Sequence, residues 1–512
     1  MNIFLGDPTE PNGIPMTDTI LAGAPAATRR LLVLLTVCLA AAAMPLAFTG
    51  PAVALPAISQ ALGSSPVALN WVTNAFMLAF GSSLMASGSL ADGYGRKRLF
   101  LVGVAGFALI SLALAAAPDI IWFDLLRAAQ GAAAAVAFSA GMASLAQEFD
   151  GASRLRAFSF VGTSFGIGLA FGPIAAGAMI EGFGWPAIFI LVVALALMAF
   201  TLGAVVMRES RDPDARGLDW PGALSFTAAL SLFTFGVLQA PESGWSDPFV
   251  IALLLAGAAI FALFCAIENR VARPMLDLSL FRYPRFVGVQ LLAAAPAYAF
   301  VVLLILLPIR FIGIEGMTEI AAGRMMIALS APLLVLPIAS GLLVRWLKPS
   351  TICATGLVIS AAGLLWLSFV PAGEASIAVL APLAVIGTGI SLPWGLMDGL
   401  AVSVVPTERA GMATGIFSTT RVAGEGVALA VVNAVLSGLT ATALAAPDAS
   451  PAAQRLVTGD LAGAAALLPQ LDHAALIHGY AGAFALLLVL LAAITLLTAL
   501  VIFLFLGKSG PT

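Results

Sequence analysis

Charged residues are scarce in this chain of 512 residues, because Asp, Glu, Lys and Arg together make up only 10% of it. Ordinary soluble domains carry roughly a quarter. Hydrophobic residues make up 61%, and a soluble fold leaves too much of its surface in water to hide so many. The formal net charge of −3 provides no overall field that would attract a polyanion. The low charge content, the high hydrophobic content and the small net charge exclude a soluble enzyme, a disordered chain and a nucleic-acid-binding protein.

Residue types that carry enzyme chemistry are also few. The chain has three cysteines and two histidines, and their positions show neither metal-ligand spacing nor a nucleophile constellation. Gly507-Lys508-Ser509 is not the end of a phosphate-binding loop, because Ile502 stands where the first glycine should be. We therefore predict a protein that is not an enzyme and that has no catalytic residue, metal site or cofactor.

Long apolar runs fill most of the sequence. A membrane-spanning helix needs about 20 mostly apolar residues, and this window gives about 14 spans. A transmembrane β-barrel would instead alternate polar and apolar residues in short strands. The sequence predicts an all-α polytopic membrane protein, and the lipid bilayer is one of its predicted partners.

Basic residues mark the predicted orientation. If the N-terminus is cytosolic, 18 of the 23 Lys and Arg residues lie in or beside cytosolic loops, as the positive-inside rule requires. The opposite orientation would place the same 18 outside. We therefore predict a multi-pass protein of the plasma (inner) membrane with cytosolic N- and C-termini.

A short repeat divides the chain into two halves. Residues 86–90 (ASGSL) end the second span and residues 339–343 (ASGLL) end the tenth, and both lead into a basic loop. Two related halves around a central site are the usual architecture of a secondary transporter. The predicted domains are a cytosolic tail at 1–30, a six-helix domain at 31–207, a linker with two extra transmembrane helices at 208–285, a second six-helix domain at 286–506, and a cytosolic tail at 507–512.

The loop after the second span has a specific pattern. From Gly88 it reads Gly-x-x-x-Asp-x-x-x-Arg-Lys, with Asp92 and Arg96 at the charged positions. In this setting it resembles the cytosolic signature, motif A, of the major facilitator superfamily. The resemblance implies the major facilitator fold, and it places Asp92 and Arg96 in the conformational switch.

Further segments resemble the 14-span drug:proton antiporter branch of that family. Residues 127–131 (RAAQG) are similar to its Arg-x-x-Gln-Gly motif, in which the buried arginine, here Arg127, is implicated in proton coupling. The fifth span resembles the glycine-rich antiporter motif at Gly162, Gly166, Gly168, Gly172, Pro173 and Gly177. Small residues also allow close helix packing whatever is transported, and that alternative stays open. The chain departs from the branch at Ala47, where an aspartate is usual, and at Pro186, where arginine is common.

Three charged residues in the last third of the chain are candidates for proton coupling. Arg421 and Glu425 are four residues apart and share one helical face, and Asp398 in the preceding span is expected at a similar depth. An adjacent guanidinium favours an ionised carboxylate, whereas burial favours the neutral acid. Glu425 is therefore suited to releasing and regaining a proton as helices shift. The alternative is a static ion pair that joins two helices.

Another charged cluster is predicted at the outer junction of the ninth and tenth spans. It comprises Arg310, Glu315, Glu319 and Arg324. Exposed salt bridges are the expected arrangement there.

The resemblance and the buried charges together predict a proton-coupled exporter of small amphipathic compounds such as drugs, dyes and antiseptics. Its energy source would be the proton gradient, and its partners would be protons and the small-molecule substrate. The predicted substrate-lining residues are Phe48, Phe76, Phe80, Trp394 and Met397. Two alternatives stay open: a narrow-specificity metabolite exporter or proton symporter, and a non-transporting receptor or scaffold. The sequence also leaves a periplasmic adaptor open as a further partner.

Overall fold

A computed structural model describes residues 26–507 apart from 64, 150, 212–218, 272–273, 275, 277, 372–376, 405–409 and 448. Within the described helices, the side chains of Asp92 and of residues 410–415 are among those left out. Most of the predicted tail at 1–30 and of the tail at 507–512 therefore lies outside the described residues.

The described residues form long helices and no strand. Labelled in chain order, the first eight are α1 (Ala26–Leu62), α2 (Pro66–Tyr94), α3 (Arg96–Leu114), α4 (Ile120–Glu148), α5 (Gly151–Phe183), α6 (Pro186–Val206), α7 (Trp220–Ser243) and α8 (Pro248–Glu268). The remaining six are α9 (Pro284–Ile314), α10 (Glu319–Leu343), α11 (Pro349–Ser368), α12 (Ile377–Ser403), α13 (Ala410–Leu444) and α14 (His473–Gly507). Among the described residues, 13 helices are long and apolar enough to cross a membrane, or 14 when the bent α5 counts as one span. The all-α polytopic prediction is confirmed.

Polar caps and prolines set where several of these helices begin. Asp119 accepts a hydrogen bond from the amide of Trp122 at the start of α4. Asp219 and Asp247 cap α7 and α8 in the same way, each with a proline in the first two positions. A capping carboxylate satisfies amides that have no partner inside the helix, and proline at the first turn loses no hydrogen bond.

Two helical halves are packed from these elements. In the first, α1 lies along α5 and α6, α2 along α4, and α3 along both α4 and α6. In the second, α11 lies along α12 and α14, while α9 and α13 also pack on α14. The halves meet along two main seams, α2 against α13 and α5 against α10. A candidate site formed by the halves must lie between these seams.

The two extra helices stand beside one seam. Helix α7 packs along α8 and also contacts both α2 and α13. Two short helices, Ala449–Val457 and Leu461–Leu467, lie between α13 and α14. We call the end of the bundle at which α2 meets α3 the basic face, because Arg96, Lys97 and Arg98 lie there. The other end is the opposite face.

Candidate functional site

Arg127 is the polar centre of the first half. Its side chain is fully buried. The Nε atom donates to the carbonyl of Val72 in α2 at 2.7 Å, and Nη1 donates to the carbonyl of Ala47 in α1 at 2.8 Å. The guanidinium carbon lies 4.7 Å from the ring centre of Phe76. One arginine on α4 thus fixes two neighbouring helices through backbone acceptors and a cation–π contact.

A second hydrogen-bond chain extends this cluster into α3. Arg127 Nη1 donates to Gln130 Oε1 at 2.5 Å, and Gln130 Nε2 donates to the Ser111 hydroxyl at 2.7 Å. That hydroxyl donates to the carbonyl of Phe107 at 2.6 Å. The Arg-x-x-Gln pair therefore joins α1, α2, α3 and α4 in one buried network.

The residue after this pair, Gly131, has no room for a side chain. A Cβ built there would meet the carbonyl oxygen of Phe76, and it would lie 3.0 Å from the Phe80 amide nitrogen. These are backbone atoms that cannot swing aside. Gly131 thus allows α4 to approach α2 closely enough for Arg127 to reach the carbonyls.

Two atoms of the cluster have no hydrogen-bond partner among the described residues. They are Arg127 Nη2 and Asp124 Oδ1, one turn apart on α4. Buried groups of this kind normally have a partner. They are therefore the places in this cluster where a water molecule would supply the missing partner.

The second half brings Asp398 and Arg421 together. Their closest charged atoms are 3.5 Å apart, joining α12 to α13. The Asp398 side chain is 51% exposed, whereas that of Arg421 is 10% exposed. The Arg421 guanidinium also lies 6.0 Å from the Trp394 ring and 5.7 Å from the Phe417 ring. The carboxylate is accessible and the arginine is held between aromatic side chains.

Glu425 lies one turn further along α13 and is 3% exposed. It forms no hydrogen bond or ion pair with a described residue, although Arg421 is within electrostatic reach. The arginine pairs with Asp398 instead. The next residue, Gly426, lies against Met77 of α2, with 3.3 Å from its built Cβ to the Met77 Cβ. An unpaired buried carboxyl group therefore lies beside the seam between the halves.

The motif A loop lies at the start of α3. The Arg96 amide donates to the carbonyl of Ser210 at 2.8 Å, and its guanidinium donates to Gln147 at 3.2 Å. Arg96 thereby connects α3 to α4 and to the chain after α6. The side chain of Asp92 lies outside the described residues, so its role in a switch stays a prediction.

Glu209 is a residue of this loop region that the sequence analysis missed. Its carboxylate accepts hydrogen bonds from the amides of Lys97 at 3.2 Å and Arg98 at 3.1 Å, which caps α3 from more than 100 residues away. A Cβ on Gly95, whose φ is +109°, would lie 2.6 Å from that carboxylate. Gly95 is thus required both for its backbone angle and for the approach of the cap.

The glycines of α5 have different surroundings. A Cβ on Gly168 would meet the Ala42 carbonyl, and one on Gly172 would meet the Thr49 hydroxyl, both on α1. A Cβ on Gly177 would lie 2.5 Å from the Glu319 carbonyl of α10. Nothing lies within 4 Å of such an atom at Gly162 or Gly166.

These contacts divide the antiporter-like helix into parts. The two parts of α5, residues 160–169 and 171–183, meet at 41°. Gly168, just before this bend, and Gly172, just after it, lie against α1, whereas Gly177 lies against α10 of the other half. Gly162 and Gly166, nearer the start of α5, have open space beside them. The helix combines close packing with a kink. Its role in antiport stays a prediction.

The predicted substrate-lining side chains are all buried. The exposed fractions of Phe48, Phe76, Phe80, Trp394 and Met397 lie between 0% and 6%. Phe76 packs against Phe80 with ring centres 5.8 Å apart, and Trp394 packs against Phe300 at 6.2 Å. In this conformation they are packing residues, and a lining role stays a prediction that requires helix movement.

Comparison with known proteins identifies the family. The family model described as Major Facilitator Superfamily matches residues 36–429. The chain belongs to the Major Facilitator Superfamily. It is therefore a membrane transporter rather than an enzyme, as predicted.

Curated relatives of this superfamily member are named for drug resistance. It is 32% identical to "Multidrug resistance protein Stp" of Mycobacterium tuberculosis, over 76% of this chain and 73% of the relative. It is 29% identical to "Multidrug efflux pump LfrA" of Mycolicibacterium smegmatis, over 85% and 87%. It is 28% identical to "Tetracenomycin C resistance and export protein" of Streptomyces glaucescens, over 84% and 79%.

A solved structure supports the same superfamily fold. It is a bacterial homologue of the human lysosomal transporter Spinster, described as inward-facing and unoccupied. The TM-score is 0.63 at 15% identity, covering 94% of this chain and 97% of that one. At this identity, the likeness supports the fold alone.

One expectation for this superfamily member is wrong. Arg310 and Glu315 were expected to form exposed salt bridges, but the pair is buried, with 2.7 Å between Nε and Oε1 and side chains that are 7% and 4% exposed. The Phe484 ring of α14 lies 5.0 Å from the Arg310 guanidinium. Helix α14 begins more than 150 residues after Arg310 in the sequence. Local spacing around Arg310 therefore could not predict that α14 buries the pair.

Proposed function

We propose that the protein is a proton-coupled exporter of small amphipathic compounds such as drugs, dyes and antiseptics. It works by alternating access between its two halves and uses the proton gradient as its energy source. It lies in the plasma membrane with both termini in the cytosol, as the distribution of Lys and Arg favours. The relatives named for multidrug resistance and efflux support this substrate class.

The observation that carries the proposal is the environment of Glu425. Its carboxyl group is 3% exposed and unpaired among the described residues, while the arginine one turn away pairs with Asp398. Burying an unpaired charge is costly. A carboxyl group in this position is suited to holding a proton in one arrangement of helices and releasing it in another.

The position of this group beside a seam supplies the coupling. Gly426 contacts Met77 across the α2–α13 seam, and Glu425 is on the same helical turn. When the halves move relative to each other, the surroundings of Glu425 change with the seam. Proton binding is thereby linked to the side of the membrane from which the substrate site is accessible. The reason is that a proton favours the conformation that binds it more tightly.

A vesicle assay tests the proposal directly. Inverted membrane vesicles are given an acid interior, and lipophilic cations, neutral drugs and organic anions are added one at a time. A fluorescent dye reports dissipation of the pH gradient for the parent, Glu425→Gln and the exposed control Glu242→Gln. We expect particular compounds to dissipate the gradient in the parent and the control, and Glu425→Gln to lose this response.

One outcome would contradict the role of Glu425, and another would contradict the proposal as a whole. If the response survives in Glu425→Gln, the proton site lies elsewhere. If vesicles that contain folded protein respond to no compound, broad proton-driven export is wrong. Gel filtration of each variant after extraction shows whether the protein is folded.

A narrow-specificity exporter is the second candidate. Ala47 stands where the drug:proton branch usually has an aspartate, and one relative is named for the export of a single compound, tetracenomycin C. A response confined to one chemical class in the same vesicles would favour this candidate over broad efflux.

A further inference from the structure

Helix α7 is packed on both halves at once. Val237 and Leu238 form a buried cluster with Ala430 and Ala434 of α13, and Trp71 of α2 packs on the edge of that cluster. The inserted helix is therefore in contact with both sides of the α2–α13 seam.

An aromatic series strengthens the same connection. The ring centres of Trp71 on α2 and Phe235 on α7 are 5.9 Å apart, and those of Phe235 and Phe249 on α8 are 6.0 Å apart. Both pairs have the edge-to-face arrangement that aromatic rings prefer. The two inserted helices are thus joined to α2 near its opposite-face end.

A polar contact between the halves lies beneath this packing. Asn433 Nδ2 of α13 donates to Asn70 Oδ1 of α2 at 2.9 Å. Asn433 is 5% exposed, and its Oδ1 has no partner among the described residues. A small pocket at this place is lined by Asn70, Asn433, Ser437 and Gln454, together with Leu238 of α7. The opposite-face end of the seam is therefore enclosed by α7 and the short helix Ala449–Val457.

We propose that the inserted helices brace a gate at the opposite face. Helix α7 holds α2 and α13 together, and the Asn70–Asn433 hydrogen bond is the latch that breaks when this face opens. Within a bilayer, packing and hydrogen bonds between helices supply such an association, since lipid is as apolar as the side chains. The proposal rests on alternating access and is independent of the proton site and of the substrate.

The test measures the width of the gate without a substrate. Spin labels are attached at Gln60→Cys on α1 and Gln470→Cys before α14, both exposed positions on different halves. Cys38, Cys265 and Cys353 are first replaced by alanine. Pulsed electron–electron double resonance in lipid nanodiscs then gives the distribution of distances between the two labels. It is measured for the labelled parent and for Leu238→Ala, Asn70→Ala and Leu224→Ala in the same labelled background.

Leu224→Ala is the matched control, because Leu224 lies on the same helix but is 63% exposed, against 2% for Leu238. We expect Leu238→Ala and Asn70→Ala to raise the population of the longer distance about fivefold, which corresponds to losing one modest interaction. Leu224→Ala should match the parent. If Leu238→Ala is not recovered in folded form, Val237→Ala takes its place.

The proposal is overturned if folded Leu238→Ala gives the same distribution as Leu224→Ala. It is also overturned if Asn70→Ala leaves the distribution of the parent unchanged. Neither result bears on Glu425, so failure of the brace and failure of proton coupling are distinguishable.

Discussion

The two halves hold their functional arginines in different ways. Arg127 in the first half is fully buried and donates to two backbone carbonyls and to the side-chain oxygen Oε1 of Gln130. Arg421 in the second half reaches a carboxylate, Asp398, at 3.5 Å. Backbone acceptors belong to the helices themselves and cannot change protonation, whereas a carboxylate can.

The space beside the two arginines also differs. Gly131, beside the Arg127 network, has backbone atoms of α2 against it. Gly424, beside Glu425, has nothing within 4 Å of a built Cβ. Helix α4 is therefore packed tightly beside Arg127, whereas α13 has open space at Gly424, beside an arginine that pairs with a carboxylate.

Removing Arg127 should give the largest effect. In Arg127→Met, the carbonyls of Val72 and Ala47 lose the hydrogen bonds that Arg127 donates, and a hydrogen bond from a charged group contributes about 1.5–3 kcal/mol. We expect a marked drop in the thermal unfolding temperature in detergent and loss of transport in vesicles. Arg127→Lys, which keeps the charge without the planar fork, should recover only part of both.

An Arg127→Met protein with the stability of the parent would break the comparison. It would show that Arg127 is not a structural centre. Loss of transport in such a protein would then point to a direct role in proton movement.

Two matched glycine substitutions sharpen the contrast in packing. Gly131→Ala places a methyl group against the backbone of Phe76 and Phe80, whereas Gly424→Ala places one in open space. We expect Gly131→Ala to lower stability by about 1–3 kcal/mol, as overpacking does, and Gly424→Ala to be neutral or slightly stabilising. Thermal unfolding of the two purified variants checks this, and equal effects would show that the two positions are packed alike.

Local motifs and hydropathy were sufficient for much of this description. The apolar runs predicted the helical membrane fold, and residues 127–131 directed attention to an arginine that proves to be fully buried. The cap that Glu209 places on α3 and the Asn70–Asn433 contact could not be predicted, because each joins residues more than 100 positions apart. Such contacts depend on how helices are arranged in three dimensions, which spacing along one helix does not reveal.

The smallest expected effect concerns Asp398, the exposed member of its ion pair. Because the side chain is 51% exposed, solvent screens the pair, and such pairs contribute about 0–1 kcal/mol. Asp398→Asn should therefore leave the unfolding temperature nearly unchanged, whereas it should alter transport by leaving Arg421 free to pair with Glu425. We expect Asp398→Asn vesicles to exchange protons more slowly than the parent, and the double variant Asp398→Asn/Glu425→Gln to be no worse than Glu425→Gln alone. Additive losses in the double variant would mean that the two carboxyl groups act independently, and the switch in the second half would then not depend on which of them Arg421 pairs with.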